Sequence, residues 1–150
     1  MPHTYTHLLI HIVFATKGRE RIISADMRPL LYSYIGGIIR ELKGALIAIN
    51  GMEDHIHLLI SMHPTLSISE LVRVVKANSS KWTKEKWPQQ AQFAWQEGYG
   101  AFSVSESAAK DVALYIANQE EHHRRRSFQD EFIALLRKHN ITYDERYIWD

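Results

Sequence analysis

The nine residues DHIHLLISM, positions 54–62, limit what this chain can fold into more than any other stretch. Side chains on a β-strand alternate between the two faces of a sheet. Ile56, Leu58, Ile60 and Met62 then make one unbroken apolar face, and His55, His57, Leu59 and Ser61 make the other. Such a strand needs a second layer packed over its apolar side. The rest of the chain must supply more sheet, helices to cover one face, and a setting for two imidazoles on the other.

The flanking sequence offers these parts in order. Residues 5–16, YTHLLIHIVFAT, are rich in β-branched and aromatic types and predict a strand. Residues 24–43 predict a helix that starts at Ser24, carries Pro29 early, and is weakened by Gly36 and Gly37. Residues 45–50 and 55–62 predict two strands joined by a turn around Gly51. Residues 67–86 place Ile68, Leu71, Val72 and Val75 at helical spacing, and Pro88 closes that helix. Residues 99–105 predict a fourth strand, and 107–125 and 127–139 two further helices. The order β-α-β-β-α-β is that of an α+β, ferredoxin-like (split βαβ) fold: an antiparallel sheet with two helices on one face. Two C-terminal helices are left over, and the other sheet face stands open.

A length of 150 residues points to one domain, 1–150, with room for a real core. The absence of cysteine excludes disulfides and thiolate metal sites and fits a reducing cytoplasm. The opening MPHTYTHLLIHIVFATK has no basic start, and His7 and His11 interrupt its apolar run, so neither a signal peptide nor a membrane span is expected. A net charge of +1 argues against a globally basic nucleic-acid binder, although residues 1–50 carry six Lys/Arg against three Asp/Glu.

His55 and His57 share a strand face at a Cα spacing of about 7 Å, close enough to converge on one divalent cation. A solvated pair of polar residues fits the same spacing. On the helix at 107–125, Tyr115 and Gln119 are i and i+4 and lie on one face, with His122 and His123 continuing near that stripe. A tyrosine hydroxyl can act as a covalent nucleophile and a glutamine carbonyl can ligate a hard cation. An amphipathic helix packed through Val112, Ile116 and Tyr115 accounts for the same residues.

Three separated motifs, DHIHLLI, GYGAFSVS and YIANQEEHH, occur in an order and spacing that resemble the single-tyrosine HUH transposases of the insertion-sequence 200/605 group. The resemblance runs from the first strand to the end of the chain. It implies that His55, His57 and Gln119 bind Mg²⁺ or Mn²⁺ and that Tyr115 is the nucleophile. It further implies a homodimer with active sites shared between subunits. Such a dimer would cut and rejoin single-stranded DNA with hairpin ends through a 5′-phosphotyrosine intermediate, in a bacterial or archaeal cytoplasm at the nucleoid. Domesticated transposases associated with repeated palindromes share these motifs and are the alternative within the class. A non-catalytic single-stranded nucleic-acid-binding module and a hydrolytic metal phosphodiesterase are alternatives outside it. The former is disfavoured, because a binding sheet face calls for aromatics where this strand has histidines.

Other residues carry weaker expectations. Arg73, Lys76 and Lys84 fall on one side of the second helix, and Arg124, Arg125 and Arg126 follow the tyrosine helix; both sets are candidates for phosphate contact. His7 and His11 are read as sheet-face polar residues, Asp54 as a turn residue that could orient a histidine, and Tyr99 as packing. Trp82, Trp87 and Trp95 are read as core residues, with base stacking as their other use.

Overall fold

A computed structural model describes residues 3–149 of the chain. Four strands, β1 (Leu9–Ala15), β2 (Ala45–Gly51), β3 (His55–Ser61) and β4 (Gly100–Val104), form one antiparallel sheet in the order β2-β3-β1-β4. Helices α1 (Met27–Glu41) and α2 (Ile68–Lys86) cover one face. Ile12 and Phe14 of β1 and Ile56, Leu58 and Ile60 of β3 pack there against Leu31, Ile35, Ile39, Leu71 and Val75. Alternation along DHIHLLISM has done what its pattern predicts.

The face expected to be open is covered instead. Helices α3 (Ala109–Ala117), α4 (Gln119–His123) and α5 (Phe128–Lys138) lie over it, and His55 and His57 are wholly buried. Phe128, Phe132, Leu135 and Leu136 form the apolar stripe of α5 and pack on Val13, Ala15 and Phe102. Burial of each such side chain contributes about 1.5–3 kcal/mol, enough in sum to hold an 11-residue helix on the sheet. Ser67 and Ser127 cap α2 and α5, each accepting a hydrogen bond from the backbone N–H three residues on.

Two boundaries differ from expectation for physical reasons. The strand predicted over 5–16 begins at Leu9, where Ser61 and Val104 first stand opposite it; residues 3–8 have no partner strand. The single helix predicted over 107–125 breaks at Asn118 (φ −100°, ψ 26°). Asn50 of β2 donates its side-chain amide to the Ala117 carbonyl at 3.0 Å, which satisfies a carbonyl freed by the break. Among the described residues, no helix is long and apolar enough to cross a membrane.

Gly51 closes β2 against the histidine strand. A Cβ there would stand 2.1 Å from the His55 carbonyl oxygen and 2.9 Å from the Ile56 Cα, both backbone atoms that cannot yield cheaply. Gly51→Ala should lower unfolding stability by about 1–3 kcal/mol, as overpacking does. Urea denaturation followed by circular dichroism measures it, and an unchanged midpoint would show that the hairpin relaxes freely.

Candidate active site

The site is built from one strand and three helices. β3 presents the His55 and His57 rings beneath the C-terminal helices, and α3 brings Tyr115 over them. The break at Asn118 redirects the chain so that Gln119, at the start of α4, is fully buried beside His55. His55 Nε2 lies 3.1 Å from Gln119 Oε1. His123, one turn further along α4, places its Nε2 at 3.1 Å from the same oxygen.

At the centre stands Glu131 of α5, completely buried. Its Oε1 lies 2.8 Å from His57 Nε2, 3.1 Å from His123 Nε2 and 3.5 Å from His55 Nε2. Its Oε2 accepts from the Gln119 amide at 3.0 Å and from the Tyr115 hydroxyl. Burial works to raise the Glu131 carboxyl, but hydrogen bonds from His123, His57 and Tyr115 and the attraction of His57 outweigh it and hold the group well below the usual carboxylate range.

A second ring of residues orients the histidines. The Asp54 carboxylate sits 2.7 Å from His55 Nδ1, and His11 Nε2 sits 2.8 Å from His57 Nδ1. Burial tends to raise the Asp54 carboxyl, yet its bond to His55 and the attraction of that ring keep it below its ordinary value. Burial, and then the neighbouring His57, pushes His11 down to about 3, and burial lowers His57 as well. Both rings are therefore neutral imidazoles at neutral pH. The Tyr115 hydroxyl is raised above its ordinary value, first by burial and then by the charge and hydrogen bond of Glu131, with Arg126 pulling the other way.

Tyr115 is in reach of both solvent and the histidines. Its ring stacks on His122 at 4.5 Å and meets His57 edge-on at 5.9 Å, within one chain. Its hydroxyl also accepts from Arg126 at 3.3 Å. Beside it a cleft opens, lined by His11, Ser103, Ser105, Arg126, Lys138 and His139.

The structure thus brings together His55, His57, Tyr115 and Gln119. It adds His11 and Asp54, expected as a sheet-face polar residue and a turn residue; both instead buttress the histidine rings. His7 does not join them: it is exposed and pairs with Glu106. Glu131 was not expected from sequence, although a signal exists, since it interrupts the apolar stripe of Phe128, Phe132 and Leu135 on its own helix.

Of the candidate phosphate contacts Arg126 alone stands at the site, bonded to Tyr115 and lining the cleft, and the others lie elsewhere. Arg73, Lys76 and Lys84 are on α2, across the sheet from the histidines. Lys76 donates to the carbonyls of Gln96, Glu97 and Gly98, and burial lowers it to about 8 against the pull of Glu97. It ties down a loop rather than offering a free ammonium. Arg73 is paired with Glu70, and Arg124 and Arg125 with Glu121, all on the surface. Lys84 is exposed. Tyr99 sits 5.7 Å from Lys76, as loop packing, while Trp95 is buried and Trp82 stacks on Tyr34 at 4.6 Å.

Known proteins similar to this chain are transposases. The chain is 24% identical over 116 residues to the ISDra2 transposase TnpA of Deinococcus radiodurans, covering 74% of this chain and 83% of that one. It is 28% identical over 130 residues to the transposase for insertion sequence element IS200 of Salmonella typhimurium, covering 81% and 82%. Among solved structures, a candidate transposase from Deinococcus radiodurans R1 superposes with a TM-score of 0.63 at 25% identity, over 79% of this chain and 95% of the other. A REP-associated tyrosine transposase bound to a REP hairpin shares the fold, with a TM-score of 0.62 at 13% identity, over 82% and 73%. The sequence profile described as "Transposase IS200 like" matches residues 4–119, which span all four strands, both histidines, Tyr115 and Gln119, and the chain belongs to that family.

Proposed function

We propose that this transposase cuts and rejoins single-stranded DNA with Tyr115 as nucleophile and a divalent cation, Mg²⁺ or Mn²⁺, held by His55, His57 and Gln119. One observation carries the reading: the Tyr115 hydroxyl and the Nε2 atoms of His55 and His57 meet on the single buried carboxylate of Glu131. A nucleophile and a ligand cluster have been delivered to one point by elements far apart in sequence. The donor set fits a metal, because imidazole nitrogens and an amide oxygen converge with carboxylates behind them. When bound, the cation would polarise the scissile phosphate and offset the charge that builds up on it.

The chain's own residues do the rest. The strand enters by the cleft beside Tyr115, where Arg126 and Lys138 meet its phosphates. The Tyr115 oxygen attacks phosphorus and gives up its proton to the Glu131 carboxylate it faces, the bond from phosphorus to O3′ breaks, and the departing O3′ takes up a proton from water. The products are a 5′-phosphotyrosine and a free 3′-OH. The covalent link conserves the phosphodiester, so rejoining needs no nucleotide cofactor. The DNA carries hairpin ends, the protein acts as a homodimer in the cytoplasm, and residues 1–150 work as one domain. A domesticated role at palindromic repeats is the second reading, favoured by the fold shared with the hairpin-bound REP-associated protein.

Tyr115→Phe should form no covalent adduct with a labelled single strand, and His57→Ala or EDTA should reduce nicking by at least 100-fold, with gel-resolved adduct and product as the readout. Wild-type nicking at an unchanged rate in EDTA would remove the metal from the reaction.

A second experiment asks which chain supplies the tyrosine. Here Tyr115 rests on its own chain's histidines. If that arrangement is the active one, a mixed dimer of His57→Ala and Tyr115→Phe chains should nick nothing. Nicking at about half the wild-type rate would instead mean sites shared across the two-fold axis.

A further inference from the structure

We propose that His123 and Glu131 complete the cation site, making a set of three imidazoles and one carboxylate that takes a first-row transition ion in preference to Mg²⁺. The proposal rests on the metal reading above and extends its ligand set.

Geometry supports the set. One ligand atom each from His55, His57, His123 and Glu131 can be chosen so that all lie within 4.8 Å of one another. Ligands at about 2.0–2.2 Å from an ion stand roughly 3.0–3.5 Å from their neighbours. The three Nε2 atoms lie 2.8, 3.1 and 3.5 Å from Glu131 Oε1, so small adjustments would seat an ion among them.

The orientation of the donors supports it too. The Asp54 carboxylate can only accept, so His55 Nδ1 must carry the hydrogen between them. The other ring nitrogen of His55, Nε2, then points toward the inside of the cluster. What it faces there are two more acceptors, Gln119 Oε1 and Glu131 Oε1. Gln119 cannot simply be reversed, because its amide nitrogen is engaged by Glu131 Oε2. Imidazole nitrogen, amide oxygen and carboxylate oxygen thus converge on one point, the kind of donor set that a cation takes up. His123 Nε2 faces the same two oxygens at 3.1 Å each.

The identity of the donors sets the class of ion. Imidazole nitrogen suits first-row transition ions, whereas Mg²⁺ favours oxygen and gives up its water reluctantly. Three imidazoles make a poor magnesium site. Glu131 also ties the ion to α5, since the same carboxylate is anchored on a helix held by Phe128, Phe132 and Leu135.

Calorimetric titration of the purified full-length chain with Co²⁺ and with Mg²⁺ tests the proposal, with the visible spectrum of bound Co²⁺ as a second readout. The wild type should bind Co²⁺ at least ten-fold more tightly than Mg²⁺. His123→Asn and Glu131→Gln should each weaken Co²⁺ binding at least ten-fold and alter its visible bands. Equal affinity for the two ions would overturn the proposal, as would folded variants within two-fold of wild type and with unchanged spectra. A wild type that binds neither ion would overturn the metal reading as well. Should Glu131→Gln lose its helical circular dichroism, His123→Asn, at a half-buried position, decides alone.

Discussion

A carboxylate buried without solvent has to be matched by donors or by a cation, and Glu131 imposes that condition on everything around it. Removing one partner from such a buried charge network costs about 3–5 kcal/mol, because the other is left uncompensated. Strand β3, helix α4 and helix α5 are therefore coupled through one side chain. His57 reaches it from the sheet, His123 from α4, and Gln119 and Tyr115 from either side of the break at Asn118. The apolar stripe of α5 brings Glu131 down onto the sheet, and the donors make its arrival tolerable. Packing and polar chemistry are satisfied by the same placement.

The break between α3 and α4 has a matching role. An uninterrupted helix would carry Tyr115, Gln119 and His123 as one straight stripe. Ending α3 at Ala117, with Asn50 holding the last carbonyl, turns the chain before Gln119 and lets α4 lie against His55. Arg28 adds a tie from α1, 3.9 Å from Glu120 and 3.4 Å from Glu53. Tyr115, the proposed nucleophile, stays at the edge of the cleft while the prospective ligands go under cover. That division suits a reaction in which DNA must reach the tyrosine and water must be kept from the cation.

Much of this was legible in the residues. The alternation of DHIHLLISM predicts both the apolar core face and the paired histidines, and the order of elements predicts the sheet. Tyr115 and Gln119, placed on one helix face by their i and i+4 spacing, lie on different helices across the break at Asn118 and still reach the same Glu131 oxygen. The burial of the histidines was not legible, because periodicity along β3 says which side a ring takes and nothing about what will cover it. The roles of His11 and Asp54 depend on register, His11 standing beside His57 only once β1 and β3 are paired. Glu131 lies 74 residues from His57 in sequence, and its only local mark is a charge set in an apolar stripe. Lys76 shows the opposite case: a basic residue on a suitable helix face whose ammonium is taken up by three carbonyls of its own fold.

The proposed cation would join the histidine strand to the tyrosine. Anomalous diffraction at the manganese edge, from crystals of the full chain grown with Mn²⁺, tests it most directly. A single strong peak is expected about 2.0–2.3 Å from Nε2 of both His55 and His57, beside Glu131 and the Tyr115 hydroxyl. A peak only at surface carboxylates, with the histidine cluster unchanged and empty, would contradict it.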